Sequence, residues 1–212
     1  MATGIGAAMA GGRRGSGPER ARQHGDWYPT PDEVTEVLMP HLDITGDVLE
    51  PCCGDGALAK VIERHGHRVI ATDLHYRGYG DAHGEAFDVL NLTELPAPNV
   101  VTNPPFNIAG DIIRHLLGLR PEVMALLLKA SFWHAKSRSR LFEENPPAKI
   151  VALTWRPDFL HLKRPTMEVM WCIWKRGHNG PTEYVLAHRP PRPRARKVRR
   201  ASAPKAVDTH PA

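Results

Sequence analysis

The sequence predicts an α/β domain, a doubly wound sheet flanked by helices. Short apolar runs alternate with segments of helical period along the body of the chain. Two of the runs open into turns of unusual chemistry. Asp47-Val48-Leu49-Glu50 leads into Pro51-Cys52-Cys53-Gly54-Asp55-Gly56, and Asn99-Val100-Val101-Thr102 leads into Asn103-Pro104-Pro105-Phe106.

Taken in order, Thr30-Pro31-Asp32-Glu33 carries the signals of a helix start. Thr30 is the expected N-cap, Pro31 suits the first turn, and Glu33 closes a capping box. Val34, Val37 and Leu38 follow at helical spacing. Residues 47–50 read as a first strand, and 57–65 as a helix with Leu58, Val61 and Ile62 on its apolar face, ended by Gly66. Residues 68–73 are a second strand, 86–89 a weaker third and 100–103 a fourth. A helix is expected over 108–119, with Ile112, Ile113, Leu116 and Leu117 along one side. Val123–Lys129 is a fifth strand, and Arg138 to Phe142 lies on a helix after it. Residues 149–155 and 167–174 are the sixth and seventh strands, with 184–187 as a short edge.

A chain of 212 residues with 42% hydrophobic content suits one domain and a real core. That domain is expected over 26–187. Residues 1–25 are Gly/Ala/Arg-rich and 188–212 Pro/Arg-rich, and both are expected to be disordered tails. No apolar run approaches the ~18 residues that cross a bilayer, and no secretory signal is expected. Cys52, Cys53 and Cys172 form an odd set without a C-x-x-C pair, which points to buried thiols in a reducing cytoplasm. The twelve histidines are scattered, so no metal site is expected.

Charge is uneven. Residues 26–128 hold six basic against sixteen acidic side chains, and residues 129–185 hold ten against five. Residues 186–212 add eight Lys or Arg against Asp208 alone. A polyanion is therefore drawn to the second half and the tails.

Gly54-Asp55-Gly56 stands between strand and helix, where glycine permits close backbone approach and a helix N-terminus offers free N–H groups. Lys60 stands near the place of the third glycine of a dinucleotide fingerprint, which argues against a pyrophosphate ligand. Glu50 and Asp55 flank the turn and suit a ligand with an ammonium group, as in S-adenosylmethionine. Asp73 ends the second strand, in position to accept ribose hydroxyls, with Leu74 beside it. Asp88 is placed to accept an adenine amino group, with Val89 or Leu90 against the ring.

The tetrad Asn103-Pro104-Pro105-Phe106 reads as a device for gripping a planar amino group. Its prolines stiffen the turn and contribute no N–H. The Asn103 side-chain oxygen and the Pro104 carbonyl are the expected acceptors for the two amine hydrogens, and the Phe106 ring is the face for a flat target. Two acceptors favour a pyramidal nitrogen whose lone pair points at an electrophile. Asn107 reads as a surface residue after the turn.

With these residues in view, the chain resembles the adenine-specific amino-group DNA methyltransferases. Glu50-Pro51-Cys52-Cys53-Gly54-Asp55-Gly56 looks like their cofactor loop, and Asn103-Pro104-Pro105-Phe106 is similar to their catalytic tetrad. Trp27-Tyr28-Pro29-Thr30-Pro31 is similar to the segment that closes over the methionine end of their cofactor. Arg138-Ser139-Arg140-Leu141-Phe142 and Trp171-Cys172-Ile173-Trp174 look like segments of the small phage or prophage type.

The resemblance covers roughly residues 26–177. It implies a Rossmann-like, seven-stranded methyltransferase sheet and S-adenosylmethionine as cofactor, held by Tyr28, Thr30, Glu50, Pro51, Cys52, Gly54, Gly56, Asp73, Leu74, Asp88, Val89 and Asn103. It implies methyl transfer to adenine in DNA, by a monomer in a bacterial or phage-infected cytoplasm. RNA or a protein glutamine side chain is the alternative substrate, because other enzymes with this tetrad use them. A catalytically silent nucleic-acid-binding protein is a further alternative.

Lys129, Lys136, Arg138, Arg140, Arg156, Lys163 and Arg164 are the candidate nucleic-acid contacts. Phe132 and Trp133 read equally as stacking or core residues, whereas Trp171 and Trp174 read as packing. Only two strands and an edge follow the fifth strand before the tail, so no separate target-recognition domain is expected. Deleting residues 188–212 is expected to weaken DNA affinity and flatten its salt dependence at unchanged saturated turnover. Binding titrations over a salt series check this, and an unaltered slope rejects the role of the arm.

Overall fold

A computed structural model of the chain describes residues 27–80, 82–83, 87–161, 163 and 165–191. Residues 1–25 and most of the expected arm lie outside that set, as does Arg164. The elements run α1 (Asp32–Glu36), β1 (Val48–Glu50), α2 (Ala57–Arg64), β2 (Val69–Asp73), β3 (Ala82–His83), β4 (Asn99–Thr102), α3 (Ala109–Gly118), β5 (Val123–Lys129), α4 (Lys136–Glu144), β6 (Lys149–Leu153), β7 (Val169–Lys175) and β8 (Glu183–Ala187).

Among the described residues the strands form one sheet in the order β3-β2-β1-β4-β5-β7-β6-β8. β1 pairs in parallel with β2 and β4, and β4 in parallel with β5. β7 inserts antiparallel between β5 and β6, and β8 closes the edge parallel to β6. The expected doubly wound sheet is therefore present, with Glu183–Ala187 as its short edge.

Helices cover both faces. Alternate residues of β5 feed two cores: Val123, Ala125 and Leu127 face one side with Val34, Leu58 and Ile62, and Met124, Leu126 and Leu128 face the other with Ile112, Ile113 and Leu116. A strand apolar on both faces belongs inside a sheet covered on both sides, which explains the unbroken Met-Ala-Leu-Leu-Leu run.

Two local expectations fail. The third strand is not at 86–89: two-residue β3 lies at Ala82–His83, and Val89–Asn91 form a 3-10 turn. The Asp88 side chain accepts the Leu90 N–H at 3.0 Å, and this local bond favours a turn over a ladder. Thr30 does not cap α1. The N-cap is Pro31, without a side-chain bond, and α1 is only five residues long.

Such a short helix draws its stability from packing. Buried Trp171 on β7 donates its indole N–H to the Val34 carbonyl at 2.8 Å, tying α1 to the sheet. Trp171→Phe is expected to cost about 1–3 kcal/mol, the penalty of a buried acceptor left unpaired, and to speed amide exchange in residues 32–38. Urea unfolding and hydrogen exchange check this; unchanged exchange there would remove the tie.

Candidate functional site

The chain leaves β1 towards β2 and β3 on one side, and β4 leads to β5 on the other. Strand order thus reverses between β1 and β4, and a crevice forms beyond their carboxyl ends. Val48 registers with Asn99 and Leu49 with Val100, so the glycine turn and the tetrad leave the sheet at the same end. A cavity of about 400 Å³ occupies this place, within the usual size of small-ligand sites. Tyr28, Thr30, Glu50, Pro51, Cys52, Asp73, Leu74, Asp88, Val89, Asn103 and Pro105 all line it. So do Trp27, Cys53, Asp55, His75, Arg77 and Asn107.

The glycine turn shapes one wall. Gly54 and Gly56 take φ of 55° and 76°, in the left-handed region that side chains disfavour. A Cβ on Gly54 would lie 2.5 Å from the Trp27 indole nitrogen, and one on Gly56 2.2 Å from the Tyr79 ring. Asp73 locks the turn to β2, since one carboxylate oxygen accepts the Gly54 N–H and the other the His75 N–H, each at 2.8 Å. Burial and the nearby Asp73 carboxylate push the Cys52 thiol up. Burial and Glu50 push Cys53 up to about 12. Both thiols therefore stay protonated near neutral pH and are poor nucleophiles.

Glu50 is the electrostatic centre of the cavity. It is 1% exposed, and its Oε2 has no hydrogen-bond partner among the described residues. The Ala59 N–H donates to its carboxyl, while its charged neighbours Asp73, Asp55 and Glu63 are all acids. Burial first, and these acids next, raise its pKa well above the carboxylate range. Such a site accepts a cation.

Asn103 and Pro105 of the tetrad form the opposing wall, whereas Pro104 and Phe106 do not line the cavity. Asn103 Nδ2 donates to the Tyr28 carbonyl at 3.1 Å and to the Thr30 hydroxyl at 3.0 Å. Thr30 thus serves the tetrad rather than α1. Pro104 is buried, and Phe106 is only 7% exposed. The Phe106 ring stacks on Tyr28 at 6.2 Å, and Lys129 Nζ lies 5.0 Å from its centroid. Tyr28 also meets Phe159 edge-on at 6.3 Å, which brings the β6–β7 loop to this wall. Asn107 is exposed, yet it lines the cavity.

The other basic candidates are dispersed. Lys136 and Lys163 are exposed. Arg138 packs its guanidinium 4.5 Å from the Phe132 ring centroid. Arg140 pairs with Glu144 at 2.7 Å, and Arg156 pairs with Glu168. Phe132 is buried, and Trp133 is half-buried beside Phe142 and Met170, so both are packing residues. Trp171 and Trp174 are packed as expected.

His75 and Arg77 were not legible as site residues. They follow Asp73 at two and four places, and the place beyond a strand end was the available signal. Arg77 stacks on Trp27 at 4.7 Å, so the two flank the mouth of the turn. Among the described residues no cluster of metal-ligating side chains occurs, and no helix is long and apolar enough to cross a membrane.

No protein-family model and no curated protein matches the chain. Solved structures do. One is a proposed class I S-adenosylmethionine-dependent methyltransferase from Listeria monocytogenes, with 16% identity and a TM-score of 0.50 over 75% of this chain. The chain spans 65% of that protein's length. Another is a proposed RNA methyltransferase from Pyrococcus horikoshii, with 19% identity and a TM-score of 0.50 over 72% of this chain and 87% of that one. At these identities the likeness establishes the fold: the chain adopts the Rossmann-like methyltransferase fold.

Folding raises the Glu50 pKa, so its contribution to stability is full below the ordinary carboxylate range and is lost as pH climbs towards the raised value. Glu50→Gln is expected to flatten the fall in Tm as pH rises above the ordinary carboxylate range. Thermal melts of both proteins test it, and parallel profiles would show that Glu50 is not the source of the pH dependence.

Proposed function

We propose that this protein is an S-adenosylmethionine-dependent methyltransferase acting on the exocyclic amino nitrogen of adenine in DNA. The observation that carries this reading is the shared cavity: Glu50, buried with an unpartnered oxygen among acids, faces the same space as Asn103. A dinucleotide's phosphates would meet repulsion there, whereas an amino acid ammonium and a sulfonium supply the missing cation. The residues present fit the cofactor on that ground.

Glu50 and Asp55 would hold the ammonium end beneath Trp27 and Tyr28. Asp73 has spare lone pairs for ribose hydroxyls beyond its two backbone bonds. Asp88, Val89 and Leu74 would frame the adenine ring. Bound there, the cofactor supplies an already activated methyl group, which leaves the protein to position the acceptor.

Asn103 Oδ1 accepts one hydrogen of the target amine and the Pro104 carbonyl the other, so the lone pair turns towards the methyl carbon. The amine's surplus proton departs after the carbon–nitrogen bond forms, and no strong base is required. Phe106, buried and stacked on Tyr28, backs this wall rather than offering its face to the target, and Lys129 beside it is the candidate for a phosphate contact. A base inside a duplex is out of reach, so the target is flipped or single-stranded. The basic excess of residues 129–185 favours a polyanion over a protein glutamine and does not separate DNA from RNA.

Incubation with methyl-labelled S-adenosylmethionine and DNA, RNA or protein, followed by nucleoside and amino acid analysis, tests the assignment. N6-methyladenine in DNA is expected. Label in RNA or glutamine alone would reassign the substrate, and cofactor binding without any transfer would reject the enzyme. Asn103→Ala is expected to lower turnover by about 100-fold or more, the usual effect of removing a group that acts in the transition state, with cofactor affinity nearly kept. Near-normal turnover of this variant would overturn the amine grip.

A further inference from the structure

Thr30 carries the residue type of a helix cap, yet the cap position of α1 is Pro31 and the Thr30 side chain makes no bond to the helix. Its hydroxyl is instead the acceptor for Asn103 Nδ2, seventy-three residues away in the chain and 3.0 Å away in space. A side chain drawn from local capping to a distant partner indicates a role at that partner.

An asparagine amide has two N–H donors and one oxygen acceptor. The Tyr28 carbonyl can only accept, so it fixes which end of the Asn103 amide is the nitrogen. The Thr30 hydroxyl takes the second hydrogen. With both hydrogens committed, Oδ1 is the polar end that Asn103 presents to the cavity. A turned amide would present N–H groups to an amine, donor against donor.

From this geometry we propose that Thr30 is a positioning residue: its hydroxyl, with the Tyr28 carbonyl, holds the Asn103 amide so that Oδ1 faces the acceptor amine. The proposal rests on the reading of Asn103 as the amine grip.

The support for Thr30 is itself rigid. Pro29 and Pro31 flank it, and its residue is 4% exposed. Tyr28 is wedged between Phe106 and Phe159. Trp27 closes over Gly54, which belongs to the opposite wall. One short segment therefore contributes a wall of the cofactor cavity and also sets the amide of the tetrad.

The test compares Thr30→Val, which removes the hydroxyl at constant shape, with Thr30→Ser, which keeps it. Thr30→Ala, too small to overfill the site, serves if the valine variant does not fold. Thr30→Val or Thr30→Ala is expected to lower kcat at least tenfold with cofactor KM within twofold, and Thr30→Ser to restore most of the turnover. Unchanged kcat in both hydroxyl-free variants, or a loss confined to cofactor KM, overturns the proposal.

A second readout needs no methyl transfer. The Asn103 side-chain amide protons, followed in nitrogen-15-labelled full-length protein and identified by their loss in Asn103→Asp, are expected to exchange slowly in the wild type and in Thr30→Ser. One of them is expected to exchange at least tenfold faster in Thr30→Val or Thr30→Ala. Equal protection in the hydroxyl-free variants overturns the proposal. If the wild type methylates nothing while this pattern holds, the functional reading fails and the positioning of Asn103 stands.

Discussion

The parallel pairing of β1 with β4 is the constraint on which the site depends. Residues 48–50 and 99–102 are about fifty positions apart in sequence, and only a crossover through β2 and β3 brings them into register. Once they pair, the glycine turn and the proline turn must leave the sheet at the same end. Neither turn makes a site alone. Together they enclose a cavity with a buried acid on one wall and an aimed amide on the other.

The walls use opposite strategies. On the Glu50 side, a polar oxygen is left unpartnered: the carboxyl is buried among acids, which disfavours its charged form until a cation stands beside it. On the Asn103 side, hydrogen bonding is nearly complete, with both N–H groups spent on Tyr28 and Thr30. On the proposed reading, the unfilled demand draws the cofactor's cation, and the filled one leaves a single acceptor for the target amine. The aromatic group of Phe106, Tyr28 and Phe159 packs the Asn103 wall and fixes the segment that holds its amide.

Legibility in the sequence followed the range of the interactions. Val123–Lys129 was read to its bounds, because a strand buried on both faces announces itself in unbroken apolar residues. Glu50, Asp73 and Asn103 were readable because each stands at a strand end, where the chain turns into the crevice. Thr30 was misread: its local signal is that of a cap, and its actual partner lies across the fold. Asp88 was placed at a strand end, whereas its own side chain bends the backbone into a turn. The burial of Phe106 against Tyr28, and the entry of His75 and Arg77, depend on loop packing that no short window of sequence encodes. The dispersal of Arg138, Arg140 and Arg156 into local contacts is likewise a tertiary result.

The most direct test is a crystal structure of the full chain with S-adenosylhomocysteine and adenosine. The account predicts the amino acid ammonium at Glu50, and the adenosine N6 within hydrogen-bond reach of Asn103 Oδ1, about 2.7–3.2 Å, facing the sulfur. A cofactor bound away from Glu50, or an adenosine amine turned from Asn103, would contradict it.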